Sequence, residues 1–379
     1  MTQGLARILL ATSAVLALGG APLRASDEVF DFEVLRYKAK MLAEKPYVQS
    51  PSTVPEKLLK LNYDQYRDIR FRPQESLWRR ERLPFELQFF HPGFNFDHTV
   101  QINIVSGREV EPIEYSPALF DYGGSRVSRV PSNMGFAGLR ILYPLNKQGD
   151  ELGAFLGVSY FRFLCQRAFY GLSARGLAIN TGEAGGEEFP VFREFWVQKP
   201  AADAKTLAVY ALLDGPTAAG AFKFTITPGA ETLTQVHEVV YCRRNPGVLG
   251  LAPLTSMFWH GKNTNASYDD FRPEVHDSDG LMIFTGAGEW IWRPLTNPGN
   301  TRIATFSDEN PKGFGLIQRD RRFEDYQDLE AEYHMRPSAW VEPVGSWGAG
   351  AVRLVELHAP DETYDNITAF WVPASLPAP

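Results

Sequence analysis

The stretch FRPEVHDSDGLMIFTGAGEWIWR, residues 271–293, contains two short apolar segments separated by a turn. The segments Leu281–Thr285 and Glu289–Arg293 have the length of ordinary strands, and Gly286 and Gly288 stand between them. Short glycine-containing loops between such segments are typical of β-hairpins. The stretch therefore predicts strand–turn–strand structure, and much of the remaining chain repeats this pattern.

The same stretch brings acids and flat aromatic side chains together. Glu274 and Asp277 precede the first segment, and Glu289, Trp290 and Trp292 lie in the second. Carboxyl groups can move protons and bind hydroxyls, and an aromatic face can cover the apolar C–H side of a sugar ring. The combination indicates a carbohydrate site. The alternative is an ordinary hairpin whose aromatic residues belong to the core and whose acidic end is solvated.

From Leu83 onward, alternating apolar and polar residues punctuated by Pro, Gly and Asp predict a succession of short strands. The segments are FELQFFHPG (85–93), TVQINIVSG (99–107), PIEYS (112–116) and residues 138–143, 155–163, 175–180, 192–198, 207–213, 221–228, 232–241, 315–318, 351–356 and 367–372. Before them, Phe30 to Lys45 carries apolar residues at helical spacing, which predicts an amphipathic helix. Leu58 to Ile69 predicts a second short helix or a turn.

The segments between the predicted strands lack the helices that parallel βαβ units require. The chain is therefore predicted to be mainly β, a large antiparallel β-sandwich with long loops and few short helices. No internal repeat or linker interrupts residues 26–372, which are predicted to form one domain.

The N-terminus has the features of a secretory signal. Arg7 supplies a positive end, Ile8 to Ala21 is an uncharged apolar run, and the small residue Ala25 precedes the acidic start of a mature chain. This arrangement predicts Sec-type export, with residues 1–25 as a signal peptide cleaved near Ala25. The alternative is an uncleaved anchor.

The formal net charge of −7 gives no indication of a nucleic-acid surface. The seven histidines are scattered, and neither a P-loop nor a dinucleotide fingerprint is present, so no metal and no cofactor is predicted. The GxSxG motif of serine hydrolases is also absent. Two cysteines make no disulfide framework, and Cys165, in the apolar run YFRFLC, is expected to remain unpaired from Cys242.

Several long motifs occur in one order along the mature chain. They are YGLSARGLAI (170–179), GEEFP (186–190), YALLDGPTAAGAFKF (210–224), APLTSMF (252–258), FRPEVHDSDGL (271–281), GEWIWRPL (288–295), NPKGFGLIQR (310–319), RPSAWVEP (336–343) and DETYDNITAFW (361–371). Through them the chain resembles the periplasmic glucan biosynthesis proteins OpgG and OpgD, also called MdoG and MdoD. The single-arginine signal is more similar to the OpgG branch, and the resemblance implies a periplasmic location.

The resemblance implies a galactose mutarotase-like β-sandwich with a long cleft on one face. In that family a smaller immunoglobulin-like domain normally follows through a short linker. Here residues 373–379, PASLPAP, resemble the start of such a linker, and the expectation is that the C-terminal domain is absent from this chain.

The resemblance also implies an activity on osmoregulated periplasmic glucans, whose backbone is β-1,2-linked glucose. Members are recognised as inverting endo-β-1,2-glucanases. By motif, Asp365 matches the general acid, Asp277 the proposed base and Tyr333 a member of the proton path. An inverting glycosidase needs one carboxyl group protonated and the other ionised, so Asp365 is expected to have a raised pKa from burial and Asp277 to be ionised.

The glucan-binding residues are predicted from residue type and location alone. They are Trp290, Trp292, Arg293, Arg272 and Glu289. For the two arginines the alternative is an ion pair to a neighbouring acid. Other functions also remain open: a non-catalytic glucan-binding or glucan-shaping protein, or a transglycosylase that branches glucans. The expected partners are β-1,2-glucan and, through the pathway, an inner-membrane glucan synthase.

Overall fold

The structure is a computed structural model that describes residues 29–49, 51–125, 127, 129–265 and 268–376. The α-helices in these ranges are α1 (Phe32–Ala43), α2 (Glu56–Leu59), α3 (Tyr63–Arg67) and α4 (Phe323–Tyr326). Single 3₁₀ turns occur at Pro73–Glu75, Pro117–Leu119 and Tyr333–Met335. The predicted signal peptide, residues 1–25, lies outside the described residues, as does the end of the predicted linker.

The strands of the described residues, in chain order, fall into five sheets. They are β1 (Arg70–Phe71), β2 (Glu86–Phe90), β3 (Gln101–Ser106), β4 (Glu109–Pro112), β5 (Phe120–Asp121), β6 (Gly138–Leu142), β7 (Glu151–Leu156), β8 (Tyr160–Phe163), β9 (Ser173–Arg175), β10 (Ala178–Ile179), β11 (Val191–Gln198), β12 (Leu207–Asp214), β13 (Ala218–Thr227), β14 (Leu233–Cys242), β15 (Leu249–Ser256), β16 (Phe258–His260), β17 (Val275–His276), β18 (Gly280–Phe284), β19 (Trp290–Pro294), β20 (Arg302–Glu309), β21 (Gly313–Ile317), β22 (Ala339–Val341), β23 (Ala349–Glu356) and β24 (Ile367–Pro373).

The two largest sheets pack on each other through phenylalanine side chains. One sheet has the order β2-β6-β7-β8-β9-β15-β24-β23-β20, with β10 paired to β15, and the other has the order β14-β13-β12-β11-β3-β4. Between them, the ring of Phe155 lies 5.4 Å from Phe195 and 5.0 Å from Phe224. All strand pairs of these sheets are antiparallel except β3 with β11. The predicted antiparallel β-sandwich is confirmed.

A smaller sheet covers the other half of the ten-stranded sheet. Its order is β19-β18-β21-β22, and β18 and β19 form the hairpin that the opening stretch predicts. Alternate residues point to opposite faces of a strand, so Leu281 and Ile283 of β18 enter a core with Leu354 of β23 and Trp371 of β24. The residues between them point away from that core and form the outer face of the small sheet.

Helix α1 confirms the amphipathic helix predicted near the N-terminus of the mature chain. Its N-cap Asp31 accepts a hydrogen bond from the backbone N–H of Val34 at 3.0 Å, a standard helix start. Leu35 and Ala39 are buried on the six-stranded sheet, in a cluster with Trp196. The second predicted helical segment contains two short helices, α2 and α3, with a turn between them.

Two strands that the sequence pattern did not predict complete the large sheet. Strand β15 contains Pro253, and Ala252 before it has a φ of 47° in the left-handed region. Its pairing with β24 shifts register between Leu251 and Leu254, so it lacks regular alternation. Edge strand β20 has no fully buried residue. Both were missed because a simple period of two exists only where one face is buried and the ladder is regular.

The two cysteines are not bonded to each other, as expected for Cys165 and Cys242. Among the described residues, no helix combines the length and apolar character that crossing a membrane requires.

Candidate active site

Asp277 lies at the junction between the ten-stranded sheet and the smaller sheet. The short strand β17 pairs with β16, and the backbone N–H of Asp277 donates to the carbonyl of Met257 at 2.9 Å. The side chain is 6% exposed and forms an ion pair with the guanidinium of Arg336. Burial is the main cause that raises the pKa of Asp277 to about 6, while Arg336 opposes the rise.

The residues beside Asp277 are held by a buried polar chain. His276 is fully buried and hydrogen-bonds to Gln318 at 2.8 Å through Nδ1 and to Glu274 at 3.0 Å through Nε2. Burial alone would raise the pKa of Glu274, but the contacts with His276 and Lys262 outweigh it and lower that pKa. Because both ring nitrogens of His276 are hydrogen-bonded, the backbone that carries Asp277 has little freedom to move.

Tyr333 and Arg336 are brought together by a single 3₁₀ turn. Residues i and i+3 of such a turn lie above one another, and the Arg336 guanidinium lies 4.1 Å from the centroid of the Tyr333 ring. The Tyr333 hydroxyl donates a hydrogen bond to Glu362 at 2.7 Å. Burial and this contact raise the pKa of Tyr333, so the hydroxyl keeps its proton in the neutral range.

Asp365 stands in the loop just before β24, and its neighbour Asn366 fixes that loop. The buried Asn366 side chain accepts from the N–H of Phe258 at 2.9 Å and donates to the carbonyls of Phe258 and Leu357, both at 3.0 Å. Phe258 begins β16, the strand that pairs with the β17 segment before Asp277. Asn366 thus brings two acids that are distant in sequence to the same place.

The Asp365 carboxyl is accessible to solvent but crowded by protein atoms. This desolvation raises its pKa, while the guanidinium groups of Arg162, Arg175 and Arg336 oppose the rise. The charge of Asp365 in turn raises the pKa of Asp277. Arg336 therefore acts on both carboxyl groups, and the two acids interact across one site, as two acids of opposite role must.

A cavity of about 1060 Å³ is lined by residues of both large sheets, and its lining includes neither Asp277 nor Asp365. Tyr160 and Phe189 line it, and the Arg175 guanidinium lies over both rings, at 5.5 and 5.6 Å from their centroids. Arg175 also donates to Thr368, three residues after Asp365, at 3.3 Å. Arg175 thus connects two of the aromatic rings that line the cavity to the strand that follows Asp365.

Arg272 is engaged by three carboxylates. Its guanidinium contacts Asp270, Asp328 and Glu362, each at 2.7 Å. Glu362 thus accepts from both Arg272 and Tyr333, which connects Arg272 to the site through one residue. Substrate binding by Arg272 stays a prediction. The contacts observed for Arg272 are the ion pairs that the alternative predicts.

The residues predicted from the hairpin are divided between its two faces. Trp290 and Trp292 of β19 point to the outer face of the small sheet, where Arg319 covers Trp292 at 3.8 Å. Arg293 lies on the other face and pairs with the buried Glu356 at 3.0 Å. The backbone N–H of Glu289 donates to the Thr285 hydroxyl at 2.9 Å in the turn. No contact joins these four residues to Asp277, Asp365 or Tyr333 within the described chain, and their substrate-binding roles stay predictions.

Sequence reasoning missed Arg162, Arg175, Arg336, Glu362 and Asn366. Arg336 and Asn366 stand inside motifs that it quoted, RPSAWVEP and DETYDNITAFW. Arg336 and Asn366 lie within three residues of Tyr333 and Asp365 in the sequence, and this closeness was the available signal. In the described ranges, no group of three or more His, Cys, Asp or Glu side chains is placed to hold a metal ion.

Comparison with known proteins identifies the family of this chain. Residues 30–379 match the family model described as periplasmic glucan biosynthesis protein, MdoG. The chain belongs to this family. It is 55% identical over 345 residues to glucans biosynthesis protein G of Ralstonia nicotianae. The aligned residues cover 90% of this chain and 68% of the relative. It is 48% identical over 375 residues to the protein of the same name from Bradyrhizobium diazoefficiens, covering 97% and 75%.

A third relative, glucans biosynthesis protein G of Shewanella frigidimarina, is 49% identical over 347 residues, covering 91% of this chain and 62% of the relative. The chain therefore spans between 62% and 75% of the length of these three relatives. The resemblance stated from the motifs is confirmed, and the family's description agrees with the predicted periplasmic location.

Proposed function

We propose that this member of the periplasmic glucan biosynthesis family hydrolyses the β-1,2-linked backbone of osmoregulated periplasmic glucans, with inversion at the anomeric carbon. The observation that carries the proposal is the pair Asp277 and Asp365, whose carboxyl groups interact across one site and both have raised pKa values. Paired carboxyl groups that interact across one site fit glycoside hydrolysis.

In this mechanism Asp365 protonates the departing glycosidic oxygen. Its raised pKa favours the protonated form that a general acid requires. Asp277, with a pKa of about 6, is ionised in about nine molecules of ten at pH 7 and accepts a proton from the attacking water. The Arg336 guanidinium favours the ionised form of Asp277.

Tyr333 passes a proton rather than removing one. Its pKa is raised, so a tyrosinate is not available as a base near neutral pH. A hydroxyl can accept one proton while it donates its own, and Glu362 stands ready as the acceptor at 2.7 Å. In the proposed mechanism, the proton that Asp277 takes from the attacking water then passes through Tyr333 to Glu362, which returns Asp277 to its ionised form.

The test is product analysis of the purified mature protein with linear β-1,2-glucan. The expected products are short gluco-oligosaccharides whose new reducing ends first appear as the α-anomer in proton NMR spectra. Asp365→Asn should abolish them while glucan binding persists. Asp361→Asn is a matched control, because Asp361 caps the same loop by accepting from Thr363 and asparagine can make the same contact. Full residual activity of Asp365→Asn would refute the assignment.

One observation favours a second function, glucan binding or shaping without hydrolysis. The proposed base is already engaged by Arg336, which weakens its affinity for a proton. Saturable glucan binding without new reducing ends would support this function. Larger or branched products would instead indicate transfer to an acceptor sugar.

A further inference from the structure

The outer face of the small sheet carries a solvent-exposed aromatic depression, which we call the tryptophan groove. It has a volume of about 500 Å³ and its lining includes Phe284, Trp290, Asn310, Lys312, Trp340 and Glu342. The rings of Phe284 and Trp290 are stacked, with centroids 4.3 Å apart and planes within 4° of each other. Trp290 is 59% exposed and Trp340 is 38% exposed, although both are large apolar side chains.

Glycine residues of β21 let the Trp340 ring lie against the sheet. A Cβ atom at Gly313 would stand 2.3 Å from the Trp340 ring, and one at Gly315 would stand 2.9 Å from it. Only residues without a side chain allow so close an approach. Trp340 and Trp290, with ring centroids 5.7 Å apart and tilted by 34°, therefore present a shallow, angled aromatic floor.

Polar groups border this floor. Lys312 places its ammonium 4.8 Å from the Phe284 centroid, and Asn310 and Glu342 contribute amide and carboxylate groups. A pyranose ring has an apolar C–H face and a rim of hydroxyls, so flat aromatic surfaces with donors and acceptors around them match it.

The groove lies at the opposite end of the strands from the acids. Asp365 precedes Ile367, the first residue of β24, whereas Pro373 at the other end of β24 pairs with Gly350. The neighbouring Ala349 pairs with Glu309, directly before the groove residue Asn310. Strand β24 has 7 residues, so at about 3.3 Å per residue the two places are separated by roughly 20 Å.

We propose that the tryptophan groove is a second glucan-binding site, distinct from the site of Asp277 and Asp365. Its ligand is a pyranose unit of the same β-1,2-glucan, stacked on Trp290 and Trp340 with hydroxyls directed to Lys312 and Glu342. The class of ligand rests on the proposed function, but the existence of the site rests on the groove itself.

The test measures binding in the Asp365→Asn background, so that hydrolysis does not consume the probe. Linear β-1,2-glucan is titrated by calorimetry into this parent and into the parent carrying Trp290→Ala and Trp340→Ala. Loss of stacking should weaken binding about tenfold, which corresponds to about 1.4 kcal/mol. Tyr37→Ala is the matched control, because Tyr37 is a 66% exposed aromatic residue on α1 and should not contact glucan.

The milder variants Trp290→Phe and Trp340→Phe, each alone, keep an aromatic face and should retain most of the affinity. Equal glucan affinity of the parent and the double alanine variant would overturn the second site while leaving the proposed function intact. No binding by the parent itself would instead contradict the proposed function, and with it the glucan as ligand of the groove. A folded double variant is verified by an unfolding transition like that of the Tyr37→Ala control.

Discussion

Arg336 is the residue whose removal tests the electrostatics of the site most directly. Its guanidinium pairs with Asp277, lies 4.1 Å from the Tyr333 ring centroid and donates through Nε to the carbonyl of Ala331 at 3.1 Å. Arg336→Met keeps a long apolar stem over the tyrosine ring but removes the charge and the donors. The buried Asp277 then faces the interior without a counter-ion.

The expected size of the effect comes from the pKa of Asp277. A contacting guanidinium usually lowers a carboxyl pKa by about 1–3 units. Without Arg336, the pKa of Asp277 should therefore rise from about 6 to roughly 7–9. The ionised fraction at pH 7 then falls from about nine-tenths to between about one half and one hundredth. The acid limb of the pH–rate profile should move upward by the same amount.

The same shift changes stability in a known direction. The pKa of Asp277 in the folded protein, about 6, lies above its ordinary value of 3.8. Protonated Asp277 therefore favours the folded state below the ordinary value, and this contribution is lost as pH rises through about 6. In Arg336→Met the pKa of Asp277 is higher, so this loss of stability should continue to roughly pH 9. The additional loss in unfolding free energy should be about 1.4–4 kcal/mol, at 1.36 kcal/mol per pKa unit.

Urea unfolding of the parent and Arg336→Met at pH 5 and pH 9, followed by tryptophan fluorescence, measures this difference. The variant's deficit in unfolding free energy should be larger at pH 9 by the stated amount. Arg36→Met is the control, because the exposed pair of Arg36 with Glu33 contributes little at either pH. Equal deficits at both pH values would show that Arg336 does not control the ionisation of Asp277.

Two further substitutions test the loop and the proton path. Asn366→Ala removes the buried side chain that bonds to Phe258 and Leu357, so the unfolding free energy should fall by roughly 2–4 kcal/mol; an unchanged urea midpoint would contradict the anchoring role. Tyr333→Phe keeps the ring under Arg336 but removes the hydroxyl bonded to Glu362, so kcat should fall by roughly 10²–10⁴ with little change in KM. A normal kcat would remove Tyr333 from the proton path.

The strands that could be predicted from the sequence are apolar runs bounded by turn residues. Strand β12 is buried along almost its whole length and was identified within a residue of its ends. Strand β20 exposes part of both faces, and β15 is interrupted by Pro253. Their positions depend on partners far away in the chain, namely β23 and β24. The sequence pattern within a strand carries no information about such partners, so β15 and β20 could not be predicted from it.

The proposed catalytic residues were chosen by motif, but their surroundings could not be predicted. Nothing in the sequence around Asp365 indicates that Asn366 anchors its loop to Phe258, or that Arg336 reaches Asp277. Strand periodicity alone, by contrast, separates Arg293 from Trp290 and Trp292, since residues at odd spacing point to opposite faces. Grouping the three into one binding surface overlooked that rule, and the structure places Arg293 beside Glu356 instead.

The acid pair and the tryptophan groove are connected by rigid strands rather than by loops, and this affects how a polymer would be held. When a glucan is bound in the groove, its next sugar units lie within reach of Asp277 and Asp365, which are held roughly 20 Å away. Binding at the acids then becomes an intramolecular event with a high effective concentration, provided that the chain can span the distance. Oligosaccharides too short to reach both places gain nothing from the groove. Preference for long glucans would therefore follow from strand length, because β24 fixes the separation of the two sites.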